Sequence, residues 1–202
     1  KGKYIQFIDS DDYVDEDMLE KLYGKATQYD VDIVISGITK VNHNYEVLNK
    51  TLPKLIGVKS KNEMLENFSA EQRSTGIYGC VSNKFIKRDI VEKFKLRFDT
   101  KIKLAEDLDF YLKLYEHISS IYFYDTSFYY YIQNATNSST SENFKHDYLT
   151  QINISLRQKV LLSKNNMLNE NNLKIINLVI TNFTLCYIYD EFSSLYSRYK
   201  EK

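Results

Sequence analysis

Short, nearly continuous apolar runs alternate along the chain with longer amphipathic stretches, the pattern of an α/β sequence. Tyr4, Ile5, Phe7 and Ile8 form the first run, and it reads as a strand buried on both faces. The run ends in acids at Asp9, Asp11 and Asp12, with Asp15, Glu16 and Asp17 close behind. Asp15–Tyr29 predicts a helix capped by Asp15, with Met18, Leu19, Leu22 and Ala26 on its apolar side. Val31–Ser36 predicts a strand, and Ile38–Val47 a hairpin about the polar turn Asn42–Asn44. Ser60–Phe68 predicts a helix, because Ser60 and Glu63 have the spacing of a capping box. Gly76–Arg88 mixes glycines, aromatics and basic residues and fits no single element. Ile90–Phe94 reads as a short helix and Arg97–Leu104 as a loop. A helix then runs from Glu106 to His117, with Leu108, Tyr111, Leu112 and Tyr115 on one stripe. Ile121–Tyr124 and Phe128–Ile132 read as two aromatic strands. Gln133–Asn143, with no large apolar side chain, reads as a loop. Two helices close the chain. Leu149, Ile152, Leu156 and Val160 stripe Phe144–Asn165; Leu173, Ile176, Ile180, Phe183 and Tyr187 stripe Glu170–Tyr199.

Composition narrows the function classes. At 202 residues the chain suits one domain of ordinary size, or one and a half. Its formal net charge is zero, so no broad attraction to nucleic acid is expected. Eighteen Tyr and eleven Phe, with one Pro and six Gly, argue for a packed chain over a disordered one. Cys80 and Cys186 stand far apart in no ligand spacing and read as reduced thiols. No apolar run reaches membrane-spanning length and no signal peptide is visible, so a cytoplasmic location is expected. The apolar strand at residue 4 needs neighbours on both sides, and few other good strands are on offer. Sheet partners are therefore expected upstream of residue 1 or from another chain.

The strand-end acids are the first candidate for chemistry. Carboxylates packed this closely repel one another unless a hard cation such as Mg²⁺ or Mn²⁺ sits among them. Ligands of open α/β sheets bind beyond the carboxyl ends of strands, where these acids fall. A calcium loop starting at Asp9 fails, because its sixth position, which must be Gly, is Val14. Asp-x-Asp at a strand end also suits a phosphatase of the haloacid-dehalogenase type, although Asp12 and Tyr13 stand where those enzymes usually follow with Gly or Thr. The second candidate is Glu106-Asp107. By itself an acid pair there is a favourable first-turn charge. Paired with a distant metal-binding loop, one carboxylate would serve as general base to an attacking hydroxyl while a cation stabilised a departing diphosphate.

Four segments taken together resemble family 2 glycosyltransferases of the GT-A fold: GKYIQFIDSDDYVDEDMLEKLY, SNKFIKRDIVEKFKLRFD, AEDLDFYLKLYEH and YYYIQNATNSST. The resemblance covers roughly residues 1 to 140 and is closest to bacterial enzymes of cell-surface glycan assembly. It implies an α/β fold: an incomplete GT-A-type, Rossmann-like mixed sheet with flanking helices over 1–143, and a C-terminal helical extension over 144–202. It implies that Asp9-Ser10-Asp11 is a DXD motif. Asp11 would bind Mg²⁺ or Mn²⁺, Asp9 the ribose or the metal shell, and Asp12 would support this cofactor-binding loop. Asp107 would be the catalytic base of an inverting transfer, with Glu106 orienting the acceptor or supporting Asp107. Asn83 and Lys84 match a common Asn-Lys landmark, for which a binding role and plain packing are both open. Relatives often carry a basic residue where Gln133 and Asn134 stand, with Ser138 near the close of the stretch. The donor expected is a nucleotide diphosphate sugar, UDP-linked above others, and the acceptor a glycan or lipid-linked hydroxyl. The N-terminal half that holds the base in such enzymes is absent, so a non-catalytic binding or assembly fragment is the other alternative. The C-terminal helices offer a surface to the inner face of a membrane or to a second subunit, with a plain core role as the simpler expectation.

Overall fold

The computed structural model describes residues 2–133 and 147–200, the side chains at 195 and 197–200 excepted. The elements begin with β1 (Tyr4–Gln6), β2 (Tyr13–Val14), α1 (Met18–Gln28), β3 (Ile33–Val41), β4 (Val47–Thr51) and β5 (Gly57–Ser60). They continue with α2 (Lys61–Glu66), α3 (Phe68–Thr75), β6 (Lys84–Lys87), α4 (Arg88–Lys93) and α5 (Glu106–Tyr115). β7 (Ser120–Ile132), α6 (Tyr148–Lys164) and α7 (Glu170–Lys200) complete the set.

One mixed sheet organises the chain, with strand order β1-β6-β3-β7-β2, β4 added beside β3 and β5 beside β7. The central β3–β7 pair is parallel and the other pairings are antiparallel. β3 is the strand buried on both faces. Ile33 and Ile35 point to one side and Val34 to the other, as strand alternation requires. On Val34's side, Met18, Leu22 and Ala26 of α1 pack against Phe85 and Phe128. On the opposite side Met64, Phe68, Phe110, Tyr111, Leu161 and Ile176 bring α2, α3, α5, α6 and α7 into one core. Each such side chain, fully buried, contributes on the order of 2 kcal/mol. Gly37 lets β4 and β7 both close on β3: a Cβ there would lie 2.7 Å from Thr51 O and 3.3 Å from Ser127 Cβ.

Several sequence expectations meet their elements. The capping box at the start of α2 is present, with Glu63 N–H donating to Ser60 Oγ at 3.2 Å and Ser60 N–H to Glu63 Oε2 at 2.8 Å. The hairpin turns at Asn42, whose Oδ1 accepts from the Asn44 and Glu46 amides. The α5 stripe of Tyr111, Leu112 and Tyr115 is buried.

Others are corrected. β1 is an edge strand among the described residues, paired only with β6, and Ile8 is 47% exposed rather than buried on both faces. Asp15 does not cap α1: Asp17 is the N-cap residue and makes no side-chain cap bond, because residues 13–14 first pair with β7 as β2. The two aromatic strands are one, β7, kept continuous by β3 along its length, with β5 beside its start and β2 near its end. Gly76–Arg88 ends in β6, and the short helix starts earlier than expected, at Arg88. On α6 the expected core stripe faces outward: Leu149, Leu156 and Val160 are exposed, and Ile154, Leu161 and Leu162 are buried. That helix is apolar on two sides, so its periodicity does not choose between them. The buried side is fixed by tertiary contacts, including Gln158 Nε2 donating to Ser69 Oγ at 2.7 Å.

Candidate active site

The acidic loop is a turn between β1 and β2, closed by Asp12 N–H donating to Asp9 O at 3.2 Å. Tyr129, on β7, holds it from below. Its hydroxyl accepts from Asp9 N–H at 3.1 Å and donates to Asp12 Oδ2 at 2.6 Å. Asp12 Oδ1 accepts from the Ile132 amide at 2.8 Å. Both Asp12 oxygens are therefore engaged by protein, and this carboxylate supports the loop. Asp9 and Asp11 face solvent. Surrounding protein and the charges of Asp12 and Asp11 push the Asp9 carboxyl above the usual range. That repulsion is the kind a cation relieves. Two outward carboxylates also match what Mg²⁺ takes from a protein when substrate phosphates supply the rest. Among the described residues, no group of three or more His, Cys, Asp or Glu side chains stands ready to hold a metal.

Asp107 lies in the first turn of α5. The residue before the helix, Ala105, sits in the left-handed region at φ +62°, and this turns the chain sharply so that Glu106 and Asp107 open the helix. Burial, with the neighbouring Glu106 charge, raises the Asp107 carboxyl to about 6, against the opposing pull of Lys84. Asp9 adds to the rise, so the acidic loop and α5 share one electrostatic site. The Val81 amide opposes the rise, favouring the ionised carboxylate. A carboxyl near 6 suits a general base working close to neutrality.

Asn83 and Lys84 are buried beneath this site. Asn83 Nδ2 donates to Ser36 O at 2.8 Å and to Ile77 O at 3.3 Å. Lys84 Nζ donates to Ile77 O at 2.8 Å and to Asn83 Oδ1 at 2.7 Å. Both side chains bind backbone and each other. Ser138 and most of the polar stretch lie outside the described residues. Sequence reasoning missed Tyr129 and Val81. Alternation along Phe128–Ile132 puts Tyr129 and Tyr131 on one face, but nothing local says that this face meets the acids. The Val81 contribution is a backbone amide and leaves no residue signal at all. A cavity of about 630 Å³ between α5 and α6, lined by Lys101, Lys113 and Arg157 among others, lies apart from these residues.

A mixed α/β sheet with an acidic strand-end loop and an aspartate at a facing helix start defines a GT-A-like fold. Solved structures agree: TarS residues 1–349 from S. aureus, in complex with UDP-GlcNAc, superpose with a TM-score of 0.55 at 18% identity, covering 91% of this chain and 48% of that one. Residues 1–94 match the family model described as glycosyl transferase family 2. The uncharacterized glycosyltransferase EpsJ of Bacillus subtilis is 30% identical over 145 residues, 72% of this chain and 42% of EpsJ. The poly(ribitol-phosphate) beta-N-acetylglucosaminyltransferase TarP of Staphylococcus aureus is 27% identical over 161 residues, 76% of this chain and 45% of TarP. These likenesses support a family 2 glycosyltransferase fold for this chain. It spans about half the length of the curated relatives it matches. No helix among the described residues is long and apolar enough to cross a membrane.

Proposed function

We propose that this chain supplies the diphosphate-facing loop and the catalytic base of an inverting sugar transfer to a hydroxyl in cell-surface glycan synthesis. The carrying observation is Asp107: a half-buried carboxyl raised to about 6, at a helix start, electrostatically coupled to Asp9 from the far end of the chain. As carboxylate, Asp107 takes the acceptor O–H proton as that oxygen attacks the anomeric carbon, and the sugar–phosphate bond breaks on the opposite face. Asp11 and Asp9 would hold Mg²⁺ or Mn²⁺, which when bound neutralises the leaving diphosphate. Glu106 would orient the acceptor, and its charge keeps the Asp107 carboxyl high. The donor we favour is UDP-linked, in keeping with the UDP-GlcNAc bound in the TarS structure. We place the reaction on the cytoplasmic side, with residues 144–202 as a helical extension of a 1–143 catalytic part. The likeness to family 2 favours transfer over the phosphatase alternative.

Titrating UDP into the full-length protein with and without Mn²⁺ tests the loop. Binding that requires Mn²⁺ and is lost in Asp11→Asn supports it; equal binding after EDTA treatment refutes the metal assignment. Asp107→Asn should abolish sugar transfer while leaving UDP affinity within about twofold.

A further inference from the structure

Lys84 is 0% exposed, and no carboxylate among the described residues pairs with its Nζ. All three of its N–H donors go to protein: Ile77 O at 2.8 Å, Cys80 O at 2.5 Å and Asn83 Oδ1 at 2.7 Å. The ammonium also lies 4.2 Å from the centroid of the Tyr111 ring. Burial draws the Lys84 ammonium down to about 7, so it is charged where Asp107 titrates but is a costly substitute for an apolar side chain of the same size. Packing alone does not account for it. What it holds is the segment 77–83, which lies between the sheet and α5. From the α5 side, Tyr111 Oη donates to Val81 O at 2.9 Å and Tyr115 Oη to Tyr78 O at 2.7 Å. A Cβ on Gly79 would lie 3.0 Å from Leu108 Cβ, so the segment presses directly on the helix. The amide at the middle of this clamped segment, Val81 N–H, is the one that favours the ionised form of Asp107, and Tyr111, whose ring the ammonium faces, stands one turn along α5 from that carboxylate.

We propose that Lys84 is a positioning residue for Asp107: it fixes the Val81 amide against the carboxylate and keeps a positive charge behind it. This rests on the assignment of Asp107 as base. The charged and titratable groups around that carboxylate are Glu106 on its own helix, Asp9 from the acidic loop and Lys84 from β6; Cys80 and Tyr111 face Lys84 and complete the set. Lys84 is the only cation among them, so its removal has a defined sign. The Asp107 carboxyl should become harder to ionise.

The test reads Asp107 directly, by carbon NMR of the full-length protein labelled at the aspartate carboxyl carbon. The Asp107 resonance is the one missing from Asp107→Asn. In Lys84→Met its titration midpoint should rise by about one unit, as expected for loss of a nearby opposite charge. In Tyr111→Phe, which keeps the ammonium but loosens Val81, the midpoint should rise by less than in Lys84→Met, and turnover should fall about tenfold. An unmoved midpoint in folded Lys84→Met overturns the proposal. Should that variant not fold, the coupling is read from the other side, since it is reciprocal. Asp107→Asn should lower the Lys84 midpoint, followed at its labelled Cε, and no change there overturns the proposal equally. Turnover retained by Asp107→Asn would remove the base assignment, a separate outcome that leaves both NMR midpoints as measured.

Discussion

The Asp107→Asn substitution should cost the enzyme its reaction and make its fold more stable. Asp107 titrates near 3.8 in an unfolded chain and at about 6 in the folded one. At about 1.4 kcal/mol per unit, a shift of about two units is worth about 3 kcal/mol. Asp107 is half-buried, so solvent screening reduces this to about 1.5 kcal/mol. The sign follows from proton binding. Between the two values the folded state holds the proton more tightly, so its advantage is complete below about pH 4 and is lost as the pH rises through about 6. Asparagine carries no charge to desolvate, and its Oδ1 can still accept from the Val81 amide. The variant should therefore match the parent near pH 4 and exceed it by about 1.5 kcal/mol at pH 7.5. For a chain of this size that is a rise in Tm of roughly 3–6 °C. Thermal unfolding at the two pH values measures it, alongside sugar transfer from a UDP-linked donor. Equal Tm differences at both pH values would refute the account of Asp107 as a carboxyl held out of water. In the parent, transfer should fall with acid through an apparent pKa near 6.

Three further outcomes follow from other contacts. Tyr129→Phe removes the hydroxyl that joins Asp9 N–H to Asp12; denaturant unfolding should show a loss of about 1–3 kcal/mol, and Mn²⁺-dependent UDP binding should weaken about tenfold. Gly37→Ala places a methyl against Thr51 O and Ser127; chemical denaturation should show a loss of about 1–3 kcal/mol. Arg157→Met leaves Asp109, 0% exposed, with Lys113, at 2.6 Å, as its one remaining cation among the described residues; a loss of about 3 kcal/mol on unfolding is expected, with UDP binding unchanged.

Local chemistry was legible where it is written locally. The capping box at Ser60, the turn at Asn42 and the stripe on α5 depend on residues a few positions apart, and each formed as its pattern required. The two acidic segments were equally plain, because carboxylates clustered after an apolar strand and at a helix start stand out from their neighbours. Which strand is central was not legible. Tyr4–Ile8 and Ile33–Ile35 are both apolar runs, and only the pairing of β3 with β6, β4 and β7 puts the second at the centre and the first at an edge. α6 shows the same limit, since a helix apolar on two sides has no preferred face until neighbours supply one.

By itself the sequence determined the class of fold, the acids and their kinship. Those are properties of residue type and spacing, and a short window holds them. Tertiary structure decided what surrounds each acid. Tyr129 and the Ile132 amide occupy Asp12, and so separate a loop support from the outward pair Asp9 and Asp11. Burial, Glu106 and Lys84 together set Asp107 near 6. A carboxylate's role is fixed by which donors and charges surround it, and here those arrive from β6, β7 and the 77–83 segment, far from it along the chain.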